Sequence, residues 1–330
     1  MAVLSTTNPT LADVAKRYDA DGKIDTIVEM LAETNEVLED MTFLEGNLPT
    51  GHRTTIRSGL PSSTWRKLNY GVQPSKSTTV QVTDTTGMLE AYAEVDKSLA
   101  DLNGNTGAFR LSEDRAFLES MNQTMASTLF YGDTGTDPEK FMGLSARYNS
   151  TSAESGDNIL LGGGSGADNT SVWLVCWGPN SLHGIYPKGS QAGLNHHDLG
   201  EVTLEDAANG KYQGYRTHYK WDVGMTVRDW RYAVRIPNID ISALTKDASG
   251  ASANLVDLMV QAIELLPNTN LGRCVFYGNR TISSILRRQI TNTSNVRLSM
   301  DEVAGKRVMS FDGIPFRRND ALIKTEALVS

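Results

Sequence analysis

Between residues 10 and 42 the apolar positions recur at helical spacing. Leu11, Val14, Ala15 and Tyr18 form one stripe. After Asp21-Gly22 a second runs through Ile24, Ile27, Val28 and Leu31, extended by Val37, Leu38 and Met41. Asp25, Glu29, Glu33, Glu36, Glu39 and Asp40 occupy the opposite side. The pattern predicts two short helices joined by a turn, with an apolar stripe that something outside the pair must cover.

From Gly46 to about Val95 the helical period is lost and Thr, Ser, Gly and Pro dominate. "RTTIRS" and "STTVQVTDTT" alternate and are rich in β-branched residues, which predicts two strands. Between them lie Pro61, Pro74 and Trp65, the last followed by Arg66 and Lys67. An excursion this long buries little of itself, and contact with another subunit is one reason to keep it.

Ser112 is placed to cap a helix, with Glu113 and Asp114 in the first turn, where the helix dipole favours carboxylates. Ala116, Phe117, Met121, Met125, Thr128 and Leu129 extend it for about five turns to Tyr131. Gly132 reads as a left-handed terminator and Asp137-Pro138 as a turn, before Phe141, Met142 and Leu144 re-enter a core. Residues 149–170 read as a flexible polar linker. "SVWLVCWG" (Ser171–Gly178) predicts a strand buried on both faces. The stretch after it, through His196-His197-Asp198, shows no period and reads as loop. Strands resume in "YRTHYKWDVG" and "MTVRDWRYAVRIPNID", with one slip near Asp229 read as a bulge. Ala251–Leu266 predicts an amphipathic helix stopped by Pro267. "GRCVFYGN" is a short buried strand, and Asn279 caps a helix carrying Ile282, Ile285 and Leu286. The tail forms a hairpin turning at Asp312-Gly313. Helices and short strands alternate without a βαβ rhythm, so the class is α+β.

Composition sharpens this picture. A chain of 330 residues, 39% of them hydrophobic, can bury a sizeable core and suits two lobes better than one. Its apolar runs fall short of the ~18 residues of a membrane span, and its first residues lack the charge and apolar pattern of a secretory signal. Cys176 and Cys274 sit in apolar contexts and read as small buried hydrophobes. The net charge of −8 argues against sequence-independent nucleic-acid binding as the main task.

Candidate chemistry is sparse. "GNLPTGHR" (Gly46–Arg53) has the glycine spacing of a phosphate loop, but His52 replaces the lysine and Arg53 the Ser or Thr that would reach magnesium. A turn before a strand explains it better. "GGGSG" at 162–166 lacks the residues that would follow in a phosphate cradle. His196 and His197 are adjacent and so point apart, and the other histidines show no ligand spacing. There is no G-x-S-x-G elbow, neither cysteine has a clear basic partner, and Arg287-Arg288 and Arg317-Arg318 are too short for a nucleic-acid stripe. We therefore expect no catalytic residue, cofactor or metal. A rival reading is a hydrolase with a spatially assembled carboxylate site.

Four separated stretches carry a family likeness: "FYGDTGTDPEKFMGL", "SVWLVCWGPNSLHGIYPKGSQAGL", "YKWDVGMTVRDWRYAVRIPNID" and "SFDGIPFRRNDALIKTEAL". Together they resemble major capsid proteins of tailed bacteriophages, specifically the short-tailed group of epsilon-fifteen and its Bordetella relatives. The resemblance implies the Hong Kong 97-like capsid fold. It implies an N-terminal arm at 1–45, an extended β-hairpin loop at 46–95, and a peripheral domain at 96–239 with a spine helix near 112–131. An axial domain follows at about 240–300, with return strands at 301–330. Arg57, Trp65, Arg66 and Lys67 would then be inter-subunit contacts near the loop tip. The implied assembly is an icosahedral shell of hexamers and pentamers with a portal at one vertex; the second rival reading is another virion component, such as a tail or baseplate protein. It would be built in the host bacterial cytoplasm and would enclose double-stranded DNA through weak, non-specific contact. Lys67 and Lys76 lie in the loop, but no stretch identifies an isopeptide partner, so no crosslink between subunits is expected. Met1 stands only ten residues before the first stripe, which implies a separate scaffolding protein and leaves a role for a cement protein.

Overall fold

The computed structural model describes residues 33, 35–102, 106–206, 208–244, 253–292, 298–303 and 306–330, with side chains described outside 290–308. The expected stripes from Leu11 to Tyr18 and from Ile24 to Leu31 lie outside the described residues, as does the expected start of a helix at Ala251.

Among the described residues, twelve strands join one mixed sheet. They are β1 (Phe43–Glu45), β2 (Gly51–Gly59), β3 (Thr78–Asp96), β4 (Asn169–Trp177), β5 (Leu182–Tyr186) and β6 (Asn195–Glu205), then β7 (Lys211–Val227), β8 (Ala233–Asp240), β9 (Arg273–Gly278), β10 (Leu298–Val303), β11 (Lys306–Phe311) and β12 (Ile314–Arg318). The path runs β10-β11-β12-β9-β4-β5-β7-β3-β2, with β8 on β4, β6 on β7 and β1 on β5. The α+β class holds, and the strands expected in 53–58, 77–86, 171–178 and 272–279 are present.

β4 is the centre, and every one of its residues is buried. Antiparallel β8 and β9 cover its two edges, setting Leu174 opposite Val234 and Phe276. Trp173 meets the rings of Phe130 and Tyr148. A strand covered on faces and edges alike has no polar side to show, hence the unbroken apolar run. Thr170 and Ser171 near its start are satisfied internally. Ser171 donates to Glu326, Thr170 Oγ1 donates to the Ile323 carbonyl, and Arg235 pairs with Glu326 at 2.9 Å while donating to the Tyr148 carbonyl.

Thr106–Tyr131 forms one long helix. Ser112 lies inside it rather than at its start. Phe109, buried beside Val95 and Ala100, gives the earlier turns an apolar anchor that the sequence period did not show. Gly132 is not left-handed either. A Cβ there would come within 2.4 Å of the Phe141 carbonyl oxygen and 2.6 Å of that of Thr128. Gly143 N–H donates to the Gly132 carbonyl at 2.8 Å, so the returning chain crosses the helix end in backbone contact. Glycine is required here for close approach, not for its φ.

Other expectations are corrected. Part of 149–170 is fixed rather than a flexible linker: Leu160, Gly162 and Gly164 N–H groups donate to the Arg235, Pro237 and Asn238 carbonyls along β8. The apparent loop before residue 205 contains β5 and β6. β5 is too buried to alternate, and the first half of β6 too exposed, while Val202 and Leu204 turn inward between Glu201, Thr203 and Glu205. His196, His197 and Asp198 therefore lie on a strand, opposite Tyr219, His218 and Thr217 of β7. The slip at Asp229 is not a bulge but a 3-10 turn, Trp230–Tyr232, which Asp229 caps through the Arg231 N–H. The helix after residue 252 runs Leu255–Leu265, capped by Asn254. Asn279 caps the next helix as expected, accepting from the Ile282 N–H. The tail hairpin turns at Asp312 and Gly313, both with positive φ, as a two-residue turn of this kind requires.

The end of the front stripe is also revised. Val37 and Met41 are buried in this chain's own core, with Leu38 packed against it, so this portion needs no outside cover. Asp40 fixes the segment by ion pairs to Arg273 and Arg317, at 2.8 and 2.9 Å, and accepts from Tyr277 Oη. Burial raises the Asp40 pKa, while the Tyr277 hydrogen bond, Arg317 and Arg273 act against that rise.

Removing Glu326 would leave the Arg235 guanidinium buried without its counter-charge. Glu326→Ala is expected to lower unfolding free energy by about 3–5 kcal/mol in urea denaturation, and Glu326→Gln by less. A loss under ~1 kcal/mol for the alanine variant would show that the core does not depend on this pair.

Candidate assembly surface

β2 and β3 form an antiparallel ribbon that leaves the body of the molecule. It pairs Gly51 with Thr85 and ends at Gly59 and Thr78, with an irregularity between Arg57 and Gly59. Beyond Thr85, β3 changes partner and pairs with β7 from Thr86↔Gly224 to Asp96↔Gly214. One continuous strand thus belongs first to a finger and then to the sheet.

Residues 60–76 join the two finger strands and are exposed throughout. Trp65 is 102% exposed and Leu68 85%, with Leu60, Tyr70 and Val72 also open to solvent. Single exposed hydrophobes are ordinary, but a run of this size on one projection marks an interaction surface. Its charge is equally one-sided. Between Arg53 and Asp84 stand Arg57, Arg66, Lys67 and Lys76 with no carboxylate, on a chain of net charge −8.

The finger is held at its root by a buried polar cluster. Asp84 is buried and accepts from Arg147 Nη2 at 2.7 Å and from the Thr226 hydroxyl. His52, opposite Asp84 in the ribbon, accepts from Arg228 Nη2 at 3.1 Å and stands edge-on to the buried His183 ring. Gly46–Arg53 is the expected turn before a strand. Asn47 brackets Arg53 by accepting from its N–H and donating to its carbonyl.

The four residues singled out from sequence, Arg57, Trp65, Arg66 and Lys67, all lie on the finger and are exposed. None of the three cations has an ion-pair partner among the described residues, and no contact joins the four into a cluster. The root was missed by sequence reasoning. His52, Asp84, Arg147, His183, and Thr226 with Arg228 come from five separate stretches, and no spacing links those stretches. Among the described residues no cluster of His, Cys, Asp and Glu could hold a metal, and no helix is long and apolar enough to cross a membrane.

A family model described as major capsid protein GP7 matches residues 19–330. A chain in the structure of bacteriophage Epsilon15 is similar over 100% of this chain and 99% of its own, at 40% identity and a TM-score of 0.79. The capsid of bacteriophage JBD30 aligns with 89% of this chain and 93% of its own, at 8% identity and a TM-score of 0.50, a likeness of fold alone. Curated proteins gave no match.

The root generates a pH dependence. Burial, then Arg228 and His52, hold His183 down to about 4; burial, then Arg228, lower His52. An unfolded histidine titrates near ~6.5, so between that value and 4 the unfolded chain binds more protons than the folded one. Stability from this source is therefore complete above about pH 6.5 and is lost as pH falls toward 4. Urea midpoints should drop from pH 7 to pH 5, and His183→Phe should flatten the drop. An identical pH slope in the variant would remove His183 from the explanation.

Proposed function

Because the chain belongs to the major capsid protein GP7 family, and so is a structural protein of a phage capsid shell and not an enzyme, we propose that it closes the icosahedral head of a tailed phage as hexamers and pentamers around packaged double-stranded DNA. The observation that carries this reading is the finger. The apolar and cationic side chains of its connecting residues 60–76 are exposed, with no ion pair among the described residues, while the remainder of the chain is more acidic than the net charge of −8. A neighbouring copy offers the acidic surface that such a projection fits.

In this reading residues 1–45 are the arm and 46–95 the loop, with Arg57, Trp65, Arg66 and Lys67 as its inter-subunit contacts. The partner change of β3 after Thr85 supports separating a projecting loop from the body. The peripheral domain is 96–239 and its spine is the long helix Thr106–Tyr131. About 240–300 is the axial domain around each capsomer centre, and 301–330 returns to the peripheral sheet. A subunit interface of ordinary size buries ~1,600 Å², and each copy would make several. The acidic balance supports enclosing DNA by weak, non-specific contact, since few phosphates would be neutralised. A portal at one vertex, a separate scaffolding protein and a cement protein complete the assembly, which takes place in the host bacterial cytoplasm.

Replacing Leu60–Ser75 by an Asn-Gly turn should leave a folded chain that sediments as a small species and forms no shells in electron micrographs. Closed shells from this variant would overturn the assembly role, and unfolding would place the loop in the core instead. In the intact loop, Trp65→Ala should weaken assembly by about 2 kcal/mol or more per contact, read as a raised critical concentration. Arg66→Glu with Lys67→Glu should slow assembly most at low salt, where charge steering is strongest. Unchanged assembly at low salt would count against the cationic contact.

A further inference from the structure

Cys176 of β4 and Cys274 of β9 stand directly opposite one another on antiparallel strands. Both are free and buried, and their sulfurs lie 2.8 Å apart although 98 residues separate them in the chain. Opposed residues on such strands have Cα atoms about 4.5–5.5 Å apart, inside the ~4.4–6.8 Å that a disulfide bridges. No shift of backbone is needed to join them. The exposed turn 267–271 lies beside the pair, and Cys274 Sγ contacts its Thr269 carbonyl at 3.4 Å.

We propose that this pair is an intrachain crosslinking site, converted from two thiols to a disulfide by a small-molecule disulfide oxidant such as oxidised glutathione. One cysteine thiolate attacks a sulfur of the oxidant, forming a mixed disulfide and expelling one glutathione thiolate. The other cysteine thiolate then attacks the protein sulfur, forming the Cys176–Cys274 bond and releasing the second glutathione. Two protein thiols are oxidised with loss of two protons, and the oxidant is reduced to two thiols.

Burial sets the order: Cys274, beside the exposed turn, is the sulfur that meets the oxidant, and the fully buried Cys176 is the one that resolves the mixed disulfide. Cys274 S–H donates to Cys176, and that hydrogen bond lowers the Cys176 pKa and raises that of Cys274, so Cys176 is the sulfur better able to carry the thiolate. A reducing cytosol would keep both thiols, whereas a particle outside a cell meets oxidants. The bond would tie β9, and through it β12, β11 and β10, to the central strand. It would close a long chain loop, the case in which a crosslink restricts the unfolded chain most.

The site stands independently of the assembly reading, because the test uses the purified full chain. After incubation with oxidised glutathione, thiols are titrated with Ellman's reagent in denaturant and peptides are mapped by mass. The expected result is joint loss of both thiols and a linked Cys176–Cys274 peptide lighter by two hydrogens, restored by dithiothreitol. Cys274→Ser should yield no linked peptide; if it fails to fold, Cys176→Ala serves as the control. Two thiols still free after prolonged incubation, or a stable glutathione adduct on one cysteine as the end product, would overturn the proposal.

Discussion

The architecture depends on one strand serving two ribbons. β3 hydrogen-bonds to β2 up to Thr85 and to β7 from Thr86, so the finger and the body share a single backbone. A strand keeps its direction over its length, and the finger therefore inherits its orientation from the sheet. The change of partner would leave the root ribbon with polar side chains facing the core. Asp84, Arg147 and Thr226 answer part of this by bonding to one another, while Arg228 donates to His52 and both ring nitrogens of His183 have no hydrogen-bond partner among the described residues. A buried charge is tolerable only when paired and hydrogen-bonded, and Asp84 with Arg147 meets that condition.

The same rule governs the middle of the molecule. β4 is buried on every side, and its polar start would be costly without Arg235, Glu326 and the C-terminal segment. Residues after β12 are consequently part of the core. Glu326 N–H donates to the Asn169 carbonyl, and Asn238 exchanges two hydrogen bonds with the Val329 backbone. The segment before β1 is bound comparably, through Asp40 to Arg317 and Arg273. Both segments are thus bound to the described body, and the densest run of exposed apolar side chains, from Leu60 to Val72, lies on the finger.

Local signals were legible where one force dominated. Burial on both faces fixed the apolar run of β4, β-branched alternation fixed the finger strands, and Asp312-Gly313 fixed the last hairpin. Reading failed where a contact distant in sequence decided the matter. The long helix starts early because Phe109 meets Val95 and Ala100, and Gly132 is a glycine because the Phe141 carbonyl crosses it. β6 escaped notice because its first half, His196 to Leu199, is exposed on both faces, which leaves only Val202 and Leu204 as a short alternating signal. Of the candidate surface, the exposed loop with Trp65, Arg66 and Lys67 could be found from composition alone, but its root could not.

By itself, then, the chain's order of residues determined the class, most of the elements, the projecting loop with its charge, and the family likeness. These rest on local periodicity and on composition, which neighbouring residues carry together. Tertiary structure alone decided which buried groups meet: Asp84 with Arg147, Asp40 with Arg317, Glu326 with Arg235, Cys176 with Cys274. Each pair joins segments more than sixty residues apart, and a pairing at that range is settled by how the sheet is ordered, which no local pattern records.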